Sequence, residues 1–243
     1  MSRKVGCCGT SGLSLKVFSE RFRLVEVQST FYRLPRIETA ERWRGSVPED
    51  FEFTLKAFQA ITHPKSSPTW RKSGIRTPVS DEVGHMVLSR FTQDSWSKTM
   101  EIASTLKSEF VVVQLPPSFE FSNLNLQRLE TFFESVDILC TPVVEFRHAS
   151  WMDKLNQIST VLEHLGVFVV VDPLKGIFVD QKKNYLRMHG RDGFVNYRHK
   201  YSEEELIKLE RLTRGLEAYI LFNNLSMKED ALRFIELVIK HGE

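Results

Sequence analysis

Cysteine is scarce in this chain: Cys7, Cys8 and Cys140 are all there is. Neighbouring cysteines do not readily pair and three leave one over, so no disulfide framework is expected, which fits a reducing compartment. No Cys-x-x-Cys pair occurs, which removes a zinc ribbon. A surplus of one charge is also missing. The 33 Lys and Arg nearly balance 31 Asp and Glu, for a net +2, so the chain is not a basic coat for nucleic acid and any attraction for anions must be local. No apolar run approaches the length that spans a bilayer, so no membrane partner is expected. Met1 to Val5 lead straight into a strand-like segment, without the charged-then-apolar pattern of a signal peptide, and a cytoplasmic protein is expected. Gly-x-Gly-x-x-Gly and Gly-x-Ser-x-Gly turns are both absent.

What is present is an alternation of two patterns. With 42% hydrophobic residues, 243 residues are enough for a sizeable core. Strands are predicted at Val5–Thr10, Leu24–Thr30, Phe51–Lys56, Phe110–Gln114, Pro142–Arg147, Val167–Asp172, Tyr185–Gly190 and Ala218–Asn223. Runs such as Val111-Val112-Val113 are apolar on both faces, as parallel strands covered by helices require. Between them, Trp96, Met100, Ala103 and Leu106 keep helical spacing, as do Leu126, Leu129, Phe133 and Val136. Ser202 with Glu205, and Ser226 with Glu229, read as capping boxes opening two more helices.

Eight strands separated by helices in this length predict an α/β fold, a TIM-type (β/α)8 barrel forming one domain over residues 1–243. Two irregularities are expected. Pro173 to Asn184 is too short for a full crossover helix, and the stretch after the third strand must hold an insertion, a basic loop at about 62–84. Thr62 to Val79 carries Lys65, Trp70, Arg71, Lys72 and Arg76 with no acid before Asp81. A long polar loop is either a binding loop, such as a lid, or a solvated excursion.

Barrel sites form at the C-terminal strand ends, and those ends are polar here. They include Thr10, Glu26, Gln28, Thr30, Lys56, Gln114, Glu145, Arg147, Asp172, His189, Arg191 and Asn223. Alternation groups Glu26, Gln28 and Thr30 on one face, Glu145 with Arg147, and Arg187 with His189 and Arg191. Glu145 fits a general acid or base, or a partner in a buried charge network; such networks mimic sites. Lys56 suits neutralisation of a substrate anion better than a Schiff base. His189 fits either a proton carrier or a satisfied core histidine. A second basic loop, with Arg191, Arg198, His199 and Lys200 among Phe194, Tyr197 and Tyr201, would with the Lys65–Arg76 loop give the mouth two cationic, aromatic flanks, suited to a phosphate-bearing ligand, a nucleic acid or a carboxylate, unless nearby acids balance them. Cys8 has inward parity, but a strand cysteine is usually a small hydrophobe.

These segments resemble the domain-of-unknown-function-72 family, also called YecE-like. The resemblance rests on Gly9-Thr10-Ser11-Gly12, on Val25 to Pro35 with Gln28-Ser29-Thr30-Phe31-Tyr32-Arg33, and on Ile61-Thr62-His63. It continues through Gln114-Leu115-Pro116-Pro117, Val144-Glu145-Phe146-Arg147-His148, Tyr185 to Arg191, and Phe222-Asn223-Asn224, nearly the full length. It implies a TIM-type barrel and an intracellular protein, and no particular reaction. It adds Tyr32 and Arg33 to the candidates. The chain departs from the pattern at Leu13, where the family has an aromatic, and at Gln28, where it has Asn.

The resulting expectation is an enzyme for a small anionic substrate. Glu145, Lys56 and His189 are the catalytic candidates. Thr10, Gln28, Thr30, Tyr32, Arg33, Gln114, Arg147, Arg187, Arg191 and Asn223 are the binding candidates. No cofactor is expected. The alternatives are a nucleic-acid-binding or metal-dependent nuclease-like barrel, with Glu26, Glu145, Asp172 and His189 as metal ligands, and a non-catalytic ligand-binding barrel.

Overall fold

The structure, a computed structural model, describes residues 3–75 and 82–241. Eight parallel strands close into a barrel in chain order. They are β1 Arg3–Cys7, β2 Leu24–Val27, β3 Glu52–Lys56, β4 Phe110–Gln114, β5 Thr141–Glu145, β6 Phe168–Val171, β7 Asn184–Met188 and β8 Ala218–Phe222. The helices are α1 Leu15–Ser19, α2 Ser29–Tyr32, α3 Ile37–Gly45, α4 Gln59–Thr62, α5 Arg90–Thr105, α6 Asn123–Glu134, α7 Leu155–His164, α8 Glu203–Thr213 and α9 Met227–Lys240. No helix among the described residues is long and apolar enough to cross a membrane.

All eight predicted strands are present, but most end earlier than their polar tails suggested. β2 stops at Val27 because Gln28 turns into the right-handed helical region and α2 begins at Ser29. Gln28 and Thr30 therefore do not extend the Glu26 face. β5 stops at Glu145 and β7 at Met188, so Arg147, His189 and Arg191 follow their strands and strand alternation does not orient them. The crossover between β6 and β7 lacks a full helix, as expected. A 3-10 turn at Pro173–Lys175 takes its place, and Gln181 exchanges two hydrogen bonds with the Val169 backbone at 3.0 and 2.8 Å.

The capping boxes divide. Ser202 and Glu205 cap α8 reciprocally. Ser226 precedes α9 but makes no side-chain cap bond: its backbone, at φ −92° and ψ 15°, is not in the extended conformation of a capping residue, and Glu229 pairs with Lys200 at 2.7 Å. Ser89 caps α5 with Thr92 in the reciprocal position, a pairing that an acid-based motif does not anticipate.

The chain divides into two compact units. The first comprises Met1–Glu26, Val47–Glu52 and Val169–Glu243. In it β1 lies between β2 and β8, and a Cβ at Gly6 would meet the Leu24 carbonyl oxygen at 2.1 Å, so only glycine admits that approach. Phe18 stacks on Phe22 and meets Phe51 edge-on, while Phe222 packs between Tyr201 and Phe234.

The second unit comprises Val27–Ser46 and Phe53–Phe168. In it Trp96 sits edge-on against Phe132 and Phe133, and Trp151 stacks on Phe119 and Phe146. The insertion after β3 is packed rather than a solvated excursion over its described part. It holds α4 and a 3-10 helix at Pro68–Lys72, anchored by Trp70 in a cluster with Phe58, Ala60 and Val83. Gly84, His85 and Met86 then bond back to Ala60, Thr62 and Ile61. Gly84 has φ +81° and lies where a Cβ would strike the Pro64 nitrogen at 2.3 Å. Arg76, Val79 and Asp81 lie outside the described residues.

Candidate functional site

In the second unit, chemistry collects at the C-terminal ends of β3, β4 and β5. Lys56, Gln114 and Glu145 are the last residues of those strands. Register pairs Gln114 with Glu145 and Lys56 with Val112. The Lys56 ammonium donates to Gln114 Oε1 at 3.0 Å and lies 4.0 Å from the centre of the Phe31 ring. Arg147 donates to the same Gln114 oxygen at 3.3 Å and to Glu145 Oε2 at 3.0 Å. Lys56 and Glu145 are buried, and Arg147 and Gln114 are half-buried. Two cations thus converge on one neutral acceptor, with one carboxylate beside them. A cation over an aromatic face gains from the ring quadrupole.

α2 brings Phe31 to this cluster. Thr30 fixes α2 by donating its hydroxyl to the Lys56 carbonyl at 2.8 Å, so Thr30 positions the site and does not point into it. His63, at the end of α4, meets Phe31 edge-on at 4.8 Å, and its Nδ1 is 2.8 Å from the Thr62 hydroxyl. Burial pushes the His63 pKa down to about 3, helped by the charges of Lys56, His85 and Arg147. The imidazole is therefore neutral. Tyr32 is half-buried and Arg33 is exposed at the end of α2.

In the first unit, the interior holds a second cluster. Arg187 donates to Glu26 Oε1 at 2.8 Å, and Tyr185 donates to Glu26 Oε2 at 2.9 Å. Arg187 Nη2 also lies 3.8 Å from the Cys8 sulfur. All four side chains are buried. Burial and the Glu26 charge raise the Cys8 pKa well above its ordinary value, which keeps the thiol protonated and unsuited to nucleophilic attack.

At the strand ends of this unit, Asn223 Nδ2 lies 3.0 Å from His189 Nδ1. Asp172 follows β6, and its carboxylate oxygens make no hydrogen bond of normal geometry, although the backbone N–H groups of His189, Leu174 and Lys175 are close enough to favour the charge slightly. Burial outweighs them and the Lys175 charge, and raises the Asp172 pKa to about 6. Thr10 donates to the Leu13 carbonyl within its own turn. Arg191 is exposed and lies 3.6 Å from Glu205, which also takes His199. With Lys200 on Glu229, the second basic loop is balanced by acids of α8 and α9.

Glu26 is committed to Arg187 and Tyr185, and Glu145 to Arg147. No group of three or more His, Cys, Asp or Glu among the described residues could hold a metal ion.

Comparison with known proteins adds the family. A family described as a protein of unknown function, DUF72, matches residues 8–241. The chain belongs to this family. The UPF0759 protein YunF of Bacillus subtilis is 26% identical over 245 residues, covering 87% of this chain and 80% of that protein. The crystal structure of a DUF72 protein from Thermotoga maritima is 25% identical with TM-score 0.69, covering 98% of this chain and all of that one. A DUF72 structure from Enterococcus faecalis has TM-score 0.72 at 16% identity, covering 98% and 96% of the two chains, and shows the same fold.

Within this DUF72 chain, sequence reasoning overlooked two members of the Lys56 cluster. His63 and Phe31 appeared only as parts of the family's motifs. Neither sits on a strand end, so polarity at strand ends gave no signal for them. The available signal was the cation-rich, acid-free sequence around them. Of the two departures from the family pattern, Gln28 lies at the start of α2, and Leu13 lines a groove of about 630 Å³ with α1 and α9 residues.

Proposed function

We propose that this DUF72 protein is an enzyme that takes a small phosphate- or carboxylate-bearing substrate at the ends of β3, β4 and β5. The observation that carries this reading is the convergence of Lys56 and Arg147 on the single oxygen Gln114 Oε1. An anionic oxygen in that position forms ion pairs with both donors, which a neutral amide cannot match. Lys56 and Arg147 hold the anion. Glu145, bonded to Arg147 and buried, is the general acid or base. His63 is a neutral hydrogen-bonding group beside them. In the first unit His189, held by Asn223, is a second candidate proton carrier. Three free cysteines support the cytoplasm as the compartment.

The test is calorimetric titration of the full chain with sodium phosphate and with malonate, followed by incubation with a panel of small phosphorylated and carboxylated compounds read by mass spectrometry. Wild type and Glu145→Gln are expected to bind one of the anions, and only wild type to turn over a panel member. Lys56→Met and Arg147→Gln are expected to lose anion binding. Equal binding in all four proteins rejects the anion site, and full turnover by Glu145→Gln rejects the acid–base role.

A further inference from the structure

We propose that the face built by α2 and the 3-10 helix Pro68–Lys72 binds the sugar-phosphate backbone of single-stranded nucleic acid, with the Tyr32 ring as a stacking platform. The surface lies outside the Lys56–Arg147 cluster and does not depend on how that cluster acts.

The first observation is the distribution of charge. Segments 27–37 and 57–75 hold five cations, Arg33, Arg36, Lys65, Arg71 and Lys72, and no Asp or Glu. The whole chain has a net charge of only +2. All five are exposed. The nearest acid in sequence is Glu38, in the first turn of α3.

The second observation is that packing holds these cations in place. Trp70 is buried, meets Phe58 edge-on at 6.0 Å and donates to the Pro64 carbonyl at 3.0 Å. Leu34 and Ile75 pack against the same cluster of Phe58, Ala60, Trp70 and Val83. Arg33, beside Leu34, and Arg71 and Lys72, beside Trp70, are therefore carried by backbone fixed to one core. The Lys72 ammonium lies 6.0 Å from the centre of the Tyr32 ring, which joins the two elements. Tyr32 is half-buried, with Phe31 edge-on to it at 5.0 Å.

Spread cations suit a polymer of phosphates, whereas a small anion needs cations that converge. An aromatic ring among them suits unpaired bases, since stacking needs an exposed base face. In the other basic loop, by comparison, Arg191 lies 3.6 Å from Glu205 and Lys200 lies 2.7 Å from Glu229.

The experiment is fluorescence anisotropy of a fluorescein-labelled dodecathymidylate with the full chain, from 25 to 200 mM NaCl. Binding is expected with a slope of log K against log salt of about −2 to −3, for three or four phosphate contacts at roughly 0.7 each. Arg71→Glu with Lys72→Glu is expected to weaken binding about tenfold or more, and Tyr32→Leu about fivefold or more. Lys208→Glu, exposed on α8, is expected to leave it unchanged. Should the charge reversal unfold the chain in a thermal melt, Arg71→Gln with Lys72→Gln must show a smaller loss of the same kind. No binding at 25 mM NaCl, or indifference to the Arg71 and Lys72 changes, overturns the proposal. So does competition by polyglutamate equal to that by unlabelled dodecathymidylate, which would mark a face for any acidic chain.

Discussion

Arg187 of β7 and Glu26 of β2 form an ion pair of 2.8 Å with both side chains almost wholly out of solvent. Tyr185 supplies the second carboxylate oxygen with a hydrogen bond, so both oxygens of the buried Glu26 carboxylate are bonded. The sequence placed both residues at candidate ligand positions. Their mutual commitment suits a structural tie better than substrate contact.

Removing one partner strands the other charge in the interior. Arg187→Met is expected to cost about 3–5 kcal/mol in urea unfolding, whereas Glu26→Leu combined with Arg187→Met should recover most of that loss. A neutral single substitution would show that Arg187 is not tying β7 to β2.

Asp172 predicts a stability change with pH. Its folded pKa is raised to about 6, above the ordinary 3.8, chiefly by burial. The folded protein therefore holds the proton more tightly than the unfolded chain between those values. Folding is unhindered by this group below about pH 4 and loses stability as pH rises toward 6. The loss is of order 3 kcal/mol once both states are ionised. Asp172→Asn is expected to be more stable than wild type at pH 8, with the gain vanishing at pH 4. A gain independent of pH would rule out ionisation as its source.

His63 acts with the opposite sign. Its folded pKa, about 3, lies below the ordinary 6.5, because burial and then the charges of Lys56, His85 and Arg147 disfavour the imidazolium. The unfolded chain takes the proton first, so stability falls as pH drops from about 6.5 toward 3. In NMR titration the His63 ring signals are expected to stay in their neutral position down to about pH 4. His63→Gln should flatten the acid limb of the stability curve relative to wild type. A ring that titrates near pH 6 would mean that the imidazole is neither buried nor in a cationic field.

The sequence was most legible where burial is symmetric. Phe110–Gln114 was predicted with its observed bounds, because Val111, Val112 and Val113 are apolar whichever way they point. It was least legible where a strand hands over to a turn. Val25 to Thr30 alternates as a strand would, yet at Gln28 the backbone becomes helical, a change that the Thr30 hydroxyl secures by bonding the Lys56 carbonyl 26 residues away. Long-range bonds of that kind leave no periodicity. The same limit applies to the site. Lys56, Gln114, Glu145 and Arg147 were visible as polar strand ends. His63 and Phe31 join them only through the fold of the β3 insertion. Ser226 looked like a cap because its spacing to Glu229 is right, but spacing does not report the Ser226 backbone angles or the pairing of Glu229 with Lys200.

Gln114 offers a direct check on the electrostatics of the anion site. Its Oε1 is the acceptor for both Lys56 and Arg147, yet it is uncharged. Gln114→Glu changes an amide for a carboxylate of nearly the same shape. The new charge would accept from both cations and fill the place proposed for substrate. Two hydrogen bonds from charged donors to a neutral oxygen would become ion pairs, which is expected to raise stability by about 1–3 kcal/mol in this half-buried setting. Phosphate binding is expected to disappear in the same variant, because the cations are satisfied from within. Thermal melts with and without sodium phosphate read both effects together: a higher melting temperature and no further rise on adding phosphate. A variant that is less stable and still responds to phosphate would mean that Glu145, already paired with Arg147, neutralises the cluster, which would then be a structural network.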